Sequence, residues 1–178
     1  MNRTRLTTLV LFALLATSGT GTGVARDAEG AHAEPPAAEG LDVHARLRDL
    51  NPHLTEAQLD RIEAAIVRSS SKYGLDPELV LAVIEVESHG RPEVRSPKGA
   101  LGLMQVMPYM IRPMGLAGNP STIEANIEAG CMILAGNIAR LGEDDGISAY
   151  FWGSDIRGVS YLNRVRAARD RLRADTPS

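Results

Sequence analysis

Several things are scarce in this chain of 178 residues, and each scarcity removes a class of explanation. There is one cysteine, Cys131, so no disulfide can form within the chain. Its helical spacing with Ile127, Leu134 and Ile138 reads as a buried thiol that packs as a small apolar group. Basic residues are not in excess: 19 Lys and Arg stand against 22 Asp and Glu, a net charge of −3. A nucleic-acid partner is therefore not expected, since nothing is available to neutralise a phosphate backbone. The four histidines are scattered without ligand spacing, so no metal is called for. No segment alternates with period two, no repeat is present, and there is a single tryptophan, Trp152.

What is present begins with an export pattern. Arg3 and Arg5 precede an apolar run from Leu6 to Leu15, and small residues follow to Gly23-Val24-Ala25. That order of a basic, an apolar and a small-residue region predicts a signal peptide over 1–25, cleaved after Ala25. An uncleaved anchor over Leu6 to Ala25 is the alternative, although its Thr/Gly/Ser-rich second half suits lipid poorly. No cysteine lies near the cleavage site to carry a lipid. Residues 26–40 are rich in Ala, Glu, Gly and Pro and cannot bury enough apolar surface to offset chain entropy, so they read as a disordered linker. The folded domain is expected over 41–178, and the protein outside the cytoplasm, periplasmic or wall-associated.

From there the signals are helical. Thr55 and Gln58 form a capping box ahead of Leu59, Ile62, Ile66 and Tyr73, and Gly74 is a natural stop. Asp76-Pro77 restarts a helix through Leu79, Val80, Val83 and Ile84 to about Ser88. Ser121 with Glu124 suggests a second capping box, opening a helix that ends near Gly142. A short helix over Ile147 to Trp152 and a last one over Val159 to Arg173 complete a mainly α domain. Arg164, Arg166, Arg169, Arg171 and Arg173 on the last read as a solvated face. The long segment between Ser88 and Ser121 is punctuated by Gly and Pro, yet carries Leu101, Leu103, Met104, Val106 and Met107. It is too apolar for a solvated linker and should fold over the helices to shape a groove.

Glu87 is the candidate for chemistry. It falls one turn beyond Val83 and Ile84, on an apolar helix face. Desolvation there disfavours the carboxylate, and so does the negative end of the helix dipole. A carboxyl group so raised can donate a proton near neutrality and recover it. The alternative is a helix-end charge paired with Arg91 or Arg95.

Three blocks around it resemble the lytic transglycosylase (SLT) domain, whose fold is that of the goose-type lysozymes. They are Glu87-Ser88 with Ser96-Pro97 and Gly99-Ala100, then Gly102-Leu103-Met104-Gln105 with Met107-Pro108, then Asn126-Ile127-Glu128-Ala129-Gly130. The resemblance runs from about Leu54 to Arg173. It implies a lysozyme-like helical domain with a substrate groove and no cofactor. Glu87 would be the catalytic acid/base, with Ser88, Met104, Gln105 and Tyr150 binding substrate. Core filling is the alternative for Met104, and Glu128 matches a family glutamate that is either functional or structural. The implied reaction cuts the β-1,4 bond between N-acetylmuramic acid and N-acetylglucosamine in peptidoglycan and leaves a 1,6-anhydro end. A hydrolytic muramidase and a non-catalytic wall-binding protein are the alternatives, and a secretion or envelope-spanning apparatus is a possible partner.

The sequence departs from the family at Ala149-Tyr150-Phe151, where Ala-Tyr-Asn is usual. It departs again at Gly90, where an aromatic is common, and at Tyr109 and Met110, near the place of a threonine. Trp152 reads as an anchor of its short helix, with sugar stacking as the alternative, and His89 as a surface residue.

Overall fold

Seven helices make up the described part of the computed structural model, which covers residues 41–111, 115 and 118–174. The signal peptide and linker expected over 1–25 and 26–40 lie outside the described residues. The helices are α1 (Val43–Leu50), α2 (Glu56–Tyr73), α3 (Pro77–Ser88), α4 (Pro108–Ile111), α5 (Ile123–Leu141), α6 (Glu143–Trp152) and α7 (Ser160–Ala174). The domain is mainly α, as the sequence predicts. Extended pairing among the described residues is limited to two isolated bridges, Arg95 with Leu101 and Leu101 with Val106.

α3 is the central element. Asp76 caps it by accepting from the Glu78 N–H at 3.0 Å, and Pro77 occupies its first position. Leu79 through Ile84 are all buried, so the helix is enclosed on every side rather than amphipathic. α7 covers it on one flank and α2 on another, while α5 packs on α2 and α6. α2 opens with the capping box expected of Thr55 and Gln58 and ends at Gly74 in the left-handed region, φ 64°.

Three expectations change. The Ser121–Glu124 capping box does not form. Asn119 Oδ1 takes the Ser121 N–H at 3.0 Å, the helix starts at Ile123, and Glu124 instead accepts two bonds from Arg61 of α2 at 2.8 and 2.9 Å. α6 begins at Glu143 rather than near Ile147. Its first turn, Glu143-Asp144-Asp145, is acidic, which suits the positive end of the helix dipole. Gly146 lets this turn meet α5, since a Cβ there would come within 2.6 Å of the Ile138 Cα.

The third correction concerns the arginines of α7, which are tied down rather than merely solvated. Arg166 bonds Asp144, Arg169 bonds Asp76 and Glu143, Arg171 bonds Glu85, and Arg173 bonds Glu78. They join the last helix to acidic groups at the start of α6 and along α3, from Asp76 at its cap to Glu85 in its last turn, although exposed pairs of this kind contribute little individually.

α1 escaped the sequence reading. Asp42 caps it by accepting from the Ala45 N–H at 2.8 Å, and it buries Val43 and Leu47. Its end explains one family departure. Asn51 Nδ2 donates to the Gly90 carbonyl at 3.1 Å, and a Cβ on Gly90 would lie 3.3 Å from Leu50 Cδ2. A side chain at position 90 would thus crowd Leu50 at the end of α1.

Cys131 is fully buried on α5, and burial pushes its thiol up to about 12. The folded protein is therefore expected to resist a thiol-specific reagent at pH 8, reacting with one equivalent only after denaturant is added. Stoichiometric labelling of the native protein would contradict this burial.

Candidate active site

Glu87 sits in the last turn of α3, where the helix is closed by His89 in the left-handed conformation, φ 53°. His89 is exposed, as expected of a surface residue, and its backbone N–H donates to the Glu85 carbonyl. The Glu87 carboxyl group opens into a cleft of about 730 Å³. One wall comes from the loop at Ser96–Ala100 and Gln105–Met107, the other from Tyr150, Phe151 and Trp152 at the end of α6. Residues from Ser96 to Met110 in the segment between Ser88 and Ser121 thus line a groove, as the composition of that segment predicts.

Burial is the main influence on Glu87 and raises its pKa above the usual carboxylate range. Two features oppose it without overcoming it: the Tyr161 hydroxyl donates to Glu87 Oε1 at 2.7 Å, and the Arg164 guanidinium lies nearby. Tyr161 is 1 % exposed, and burial holds its phenol well above its ordinary pKa, so it remains a neutral donor. Arg164 lies 5.5 Å from the Tyr161 ring centre. Neither Tyr161 nor Arg164 was identified from sequence as part of the site. The helix-end alternative for Glu87, pairing with Arg91 or Arg95, is not what forms. Arg91 Nε donates to the Ser88 carbonyl instead.

Tyr161→Phe is expected to raise the Glu87 pKa further, because it removes the hydrogen bond that favours the carboxylate while keeping the packed ring. A carbon-detected NMR titration of the Glu87 side-chain carboxyl would read the shift. A downward shift or none would mean the hydroxyl does not set this acidity.

The remaining sequence candidates divide. Gln105 lines the cleft. Its backbone is left-handed, φ 48°, and its Nε2 donates to the Gly102 carbonyl at 2.9 Å and the Val94 carbonyl at 3.3 Å. The amide is thereby held in place by its donor side, leaving the Oε1 acceptor for a ligand. Tyr150 also lines the cleft, but its hydroxyl donates to the Met104 carbonyl at 2.8 Å, so the ring is the surface it offers.

Two candidates have side chains placed away from the cleft. Ser88 is fully buried, with its Oγ donating to the Ile84 carbonyl one turn back at 3.1 Å, and does not face the cleft. Met104 is 0 % exposed and fills the core against Gly130, where a Cβ would sit 2.4 Å from its sulfur. Its backbone matters more than its side chain. The Met104 N–H donates to Asn126 Oδ1 at 2.8 Å, and its carbonyl holds Tyr150. Asn126 is buried and donates through Nδ2 to the Leu101 carbonyl at 2.7 Å and the Pro120 carbonyl at 3.0 Å. The third sequence block therefore has a physical reading: Asn126 pins the loop, Gly130 makes room for Met104, and Glu128 is taken by Lys72 of α2.

Among the described residues lining the cleft, Glu87 is the only carboxyl group. Glu85 is engaged by Arg171, and Glu93 accepts from Gln58 Nε2 at 3.3 Å. The arrangement provides one carboxyl group of raised pKa, an amide acceptor and an aromatic wall around a single cleft.

Parts of this chain are similar to known proteins. A 38 % identical segment of 88 residues is shared with the transglycosylase of Enterobacteria phage PRD1, covering 49 % of this chain and 33 % of that one. A 42 % identical segment of 62 residues is shared with the endo-type membrane-bound lytic murein transglycosylase A of Klebsiella pneumoniae subsp. pneumoniae, covering 32 % and 30 %. The chain thus spans about a third of the length of these relatives. Among solved structures, an inactive mutant of the lytic transglycosylase Slt from Pseudomonas aeruginosa is 25 % identical, with a TM-score of 0.44 over 63 % of this chain and 21 % of that one. The sequence model of the transglycosylase SLT domain matches residues 64–164, which is more than half of the chain and takes in Glu87, the loop and the aromatic wall, so the protein belongs to the transglycosylase SLT domain family.

Proposed function

We propose that this protein is a peptidoglycan lytic transglycosylase that cleaves the β-1,4 bond between N-acetylmuramic acid and N-acetylglucosamine, with Glu87 as its sole acid/base. The observation that carries the reading is that Glu87 is the single carboxyl group among the described residues lining the cleft. Most glycoside hydrolases need two, one to protonate the leaving oxygen and one to act as nucleophile or base, and substrate-assisted enzymes are the exception. Here the second role falls to the substrate. Protonated Glu87 donates to the glycosidic oxygen as the C1–O bond breaks, and the acetamido oxygen of the muramic residue bonds to C1. The Glu87 carboxylate then takes the proton of the C6 hydroxyl, whose oxygen displaces the acetamido group from C1. The product is a 1,6-anhydro end, no water is consumed, and Glu87 finishes protonated.

Gln105 is assigned to accept a hydrogen bond from the glycan, and the Tyr150 ring to line its path. The chain is read as a leader over 1–25, a spacer over 26–40 and the catalytic domain over 41–178, acting on the envelope side of the membrane. On this reading the enzyme opens local gaps in the wall for an envelope-spanning apparatus. Deletion that leaves every such assembly intact would end that part of the reading.

The decisive experiment is digestion of isolated peptidoglycan with the purified protein and mass spectrometry of the released fragments. Anhydro-muramyl ends support the transglycosylase. Ordinary reducing ends would identify a muramidase instead, and binding without release would identify a wall-binding protein.

A further inference from the structure

At the position where the family usually carries asparagine, this chain exposes a large apolar ring inside the cleft. Phe151 is 51 % exposed and lines the same wall as Tyr150. A single exposed phenylalanine is unremarkable on a protein surface. This one is held in a fixed orientation. Its ring stacks on that of Tyr161, with centres 5.0 Å apart and planes 16° apart, and Trp152 meets it edge-on at 5.0 Å and 88°. The Trp152 indole is itself tied by its Nε1, which donates to the Gly158 carbonyl at 3.2 Å. Arg164 lies 6.0 Å from the Phe151 centre and 5.5 Å from that of Tyr161. These near-equal separations place the guanidinium alongside the two-ring stack, not over the outer face of Phe151.

One face of Phe151 is therefore covered by the residue that hydrogen-bonds the acid, and half of the side chain remains open to the cleft. A flat, immobilised apolar surface beside a catalytic carboxyl group matches the apolar face of a β-linked pyranose, whose axial C–H groups lie on one side of the ring. Ligand clefts combine such aromatic walls with a few fixed polar groups, here Glu87 and Gln105. Because the ring is already ordered in the free protein, little conformational entropy is lost when it is used.

We infer that Phe151 is a sugar-stacking platform, holding an N-acetylhexosamine ring beside Glu87 by apolar contact where the usual asparagine would offer hydrogen bonds. The inference rests on the glycan reading given above, and it is tested separately from cleavage. The full chain and its Phe151→Ala, Phe151→Asn and Phe151→Tyr variants would be titrated calorimetrically with a β-1,4-linked N-acetylglucosamine hexamer. In the parent protein the emission of Trp152, the only tryptophan, would be followed in parallel.

The alanine and asparagine variants are expected to bind about tenfold more weakly, with tyrosine restoring affinity, and saturating sugar should shift the Trp152 emission. With peptidoglycan, Phe151→Ala should raise KM while largely sparing kcat. Equal hexamer affinity for parent and Phe151→Ala, together with a shifted pH profile of kcat, would overturn the platform and leave the ring as a cover for the Tyr161–Glu87 pair. Failure of the parent to bind the hexamer would overturn it as well. Phe151-dependent binding by a protein that releases no glycan fragments would leave this inference standing and remove the proposed activity instead.

Discussion

Glu87→Gln is expected to reduce release of glycan fragments by about 10²–10⁴-fold, the span that general acid/base catalysis typically contributes. Glutamine retains the size of the side chain and an oxygen to accept the Tyr161 hydroxyl, now seen at 2.7 Å from Glu87 Oε1, so the cleft keeps its shape. What it lacks is a proton to transfer and a base to receive one. With no other carboxyl group among the described cleft residues, nothing nearby can substitute. The same change has a second, opposite signature. Burial raises the Glu87 pKa, so ionisation is harder in the folded chain than in the unfolded one. The stability associated with the protonated form is fully present below the unfolded carboxyl pKa and is lost as pH rises through the folded value. Glutamine cannot ionise and escapes that loss. Glu87→Gln should therefore melt higher than the parent at pH 8, with the advantage disappearing near pH 4. Thermal melts at the two pH values together with fragment release would check both halves. Activity within a few-fold of the parent would remove Glu87 from the chemistry, whatever the melts show.

The parts of this molecule legible in its sequence were those with local causes. The Thr55–Gln58 capping box and the Asp76-Pro77 start each involve groups a few residues apart, and both form as written. Glu87 was legible for the same reason, since its place on the face of Val83 and Ile84 follows from one turn of helix. The misreadings came from longer range. Ser121 and Glu124 have the right spacing for a cap, but Arg61, 63 residues earlier in the chain, takes the glutamate. Tyr161 lies 74 residues beyond Glu87, on a helix whose arginines suggested only a solvated face, and no local pattern announces that its hydroxyl reaches the acid. α1 buries just Val43 and Leu47 in a polar stretch, too weak a periodic signal to separate from a loop. Ser88 and Met104 show a different limit. A motif gives the order of residues but not the direction of their side chains, and a helix turns the next residue by about 100°. Ser88 consequently points back at Ile84 while Glu87 points into the cleft. Met104 turns inward while Gln105, its neighbour, lies on the cleft wall.

That loop geometry depends on one buried amide, and Asn126→Ala is expected to destabilise the protein by about 3 kcal/mol, with a drop in Tm of roughly 10 °C. The substitution strands the Met104 N–H and the Pro120 carbonyl, now bonded at 2.8 and 3.0 Å, and takes the 2.7 Å amide bond from the Leu101 carbonyl, which keeps the Val106 N–H at 3.0 Å. Unsatisfied buried groups cost about 1–3 kcal/mol each, and partial relaxation or entry of water holds the total below the simple sum. Asn126→Asp separates polarity from volume. Its carboxylate could still accept from the Met104 N–H, but its second oxygen would face two carbonyl oxygens with no proton between them. Aspartate should therefore fail to rescue, and its deficit should shrink as pH falls and the carboxyl group becomes a donor. The consequence extends beyond stability, because the Met104 carbonyl also accepts the Tyr150 hydroxyl and Gln105 is the next residue. Loosening Asn126 should move the acceptor and the aromatic wall of the cleft together. Fragment release measured well below the variant's Tm is expected to fall further than its folded fraction does. Release in proportion to the folded fraction alone would mean that the amide supports the fold but does not set the geometry of the site.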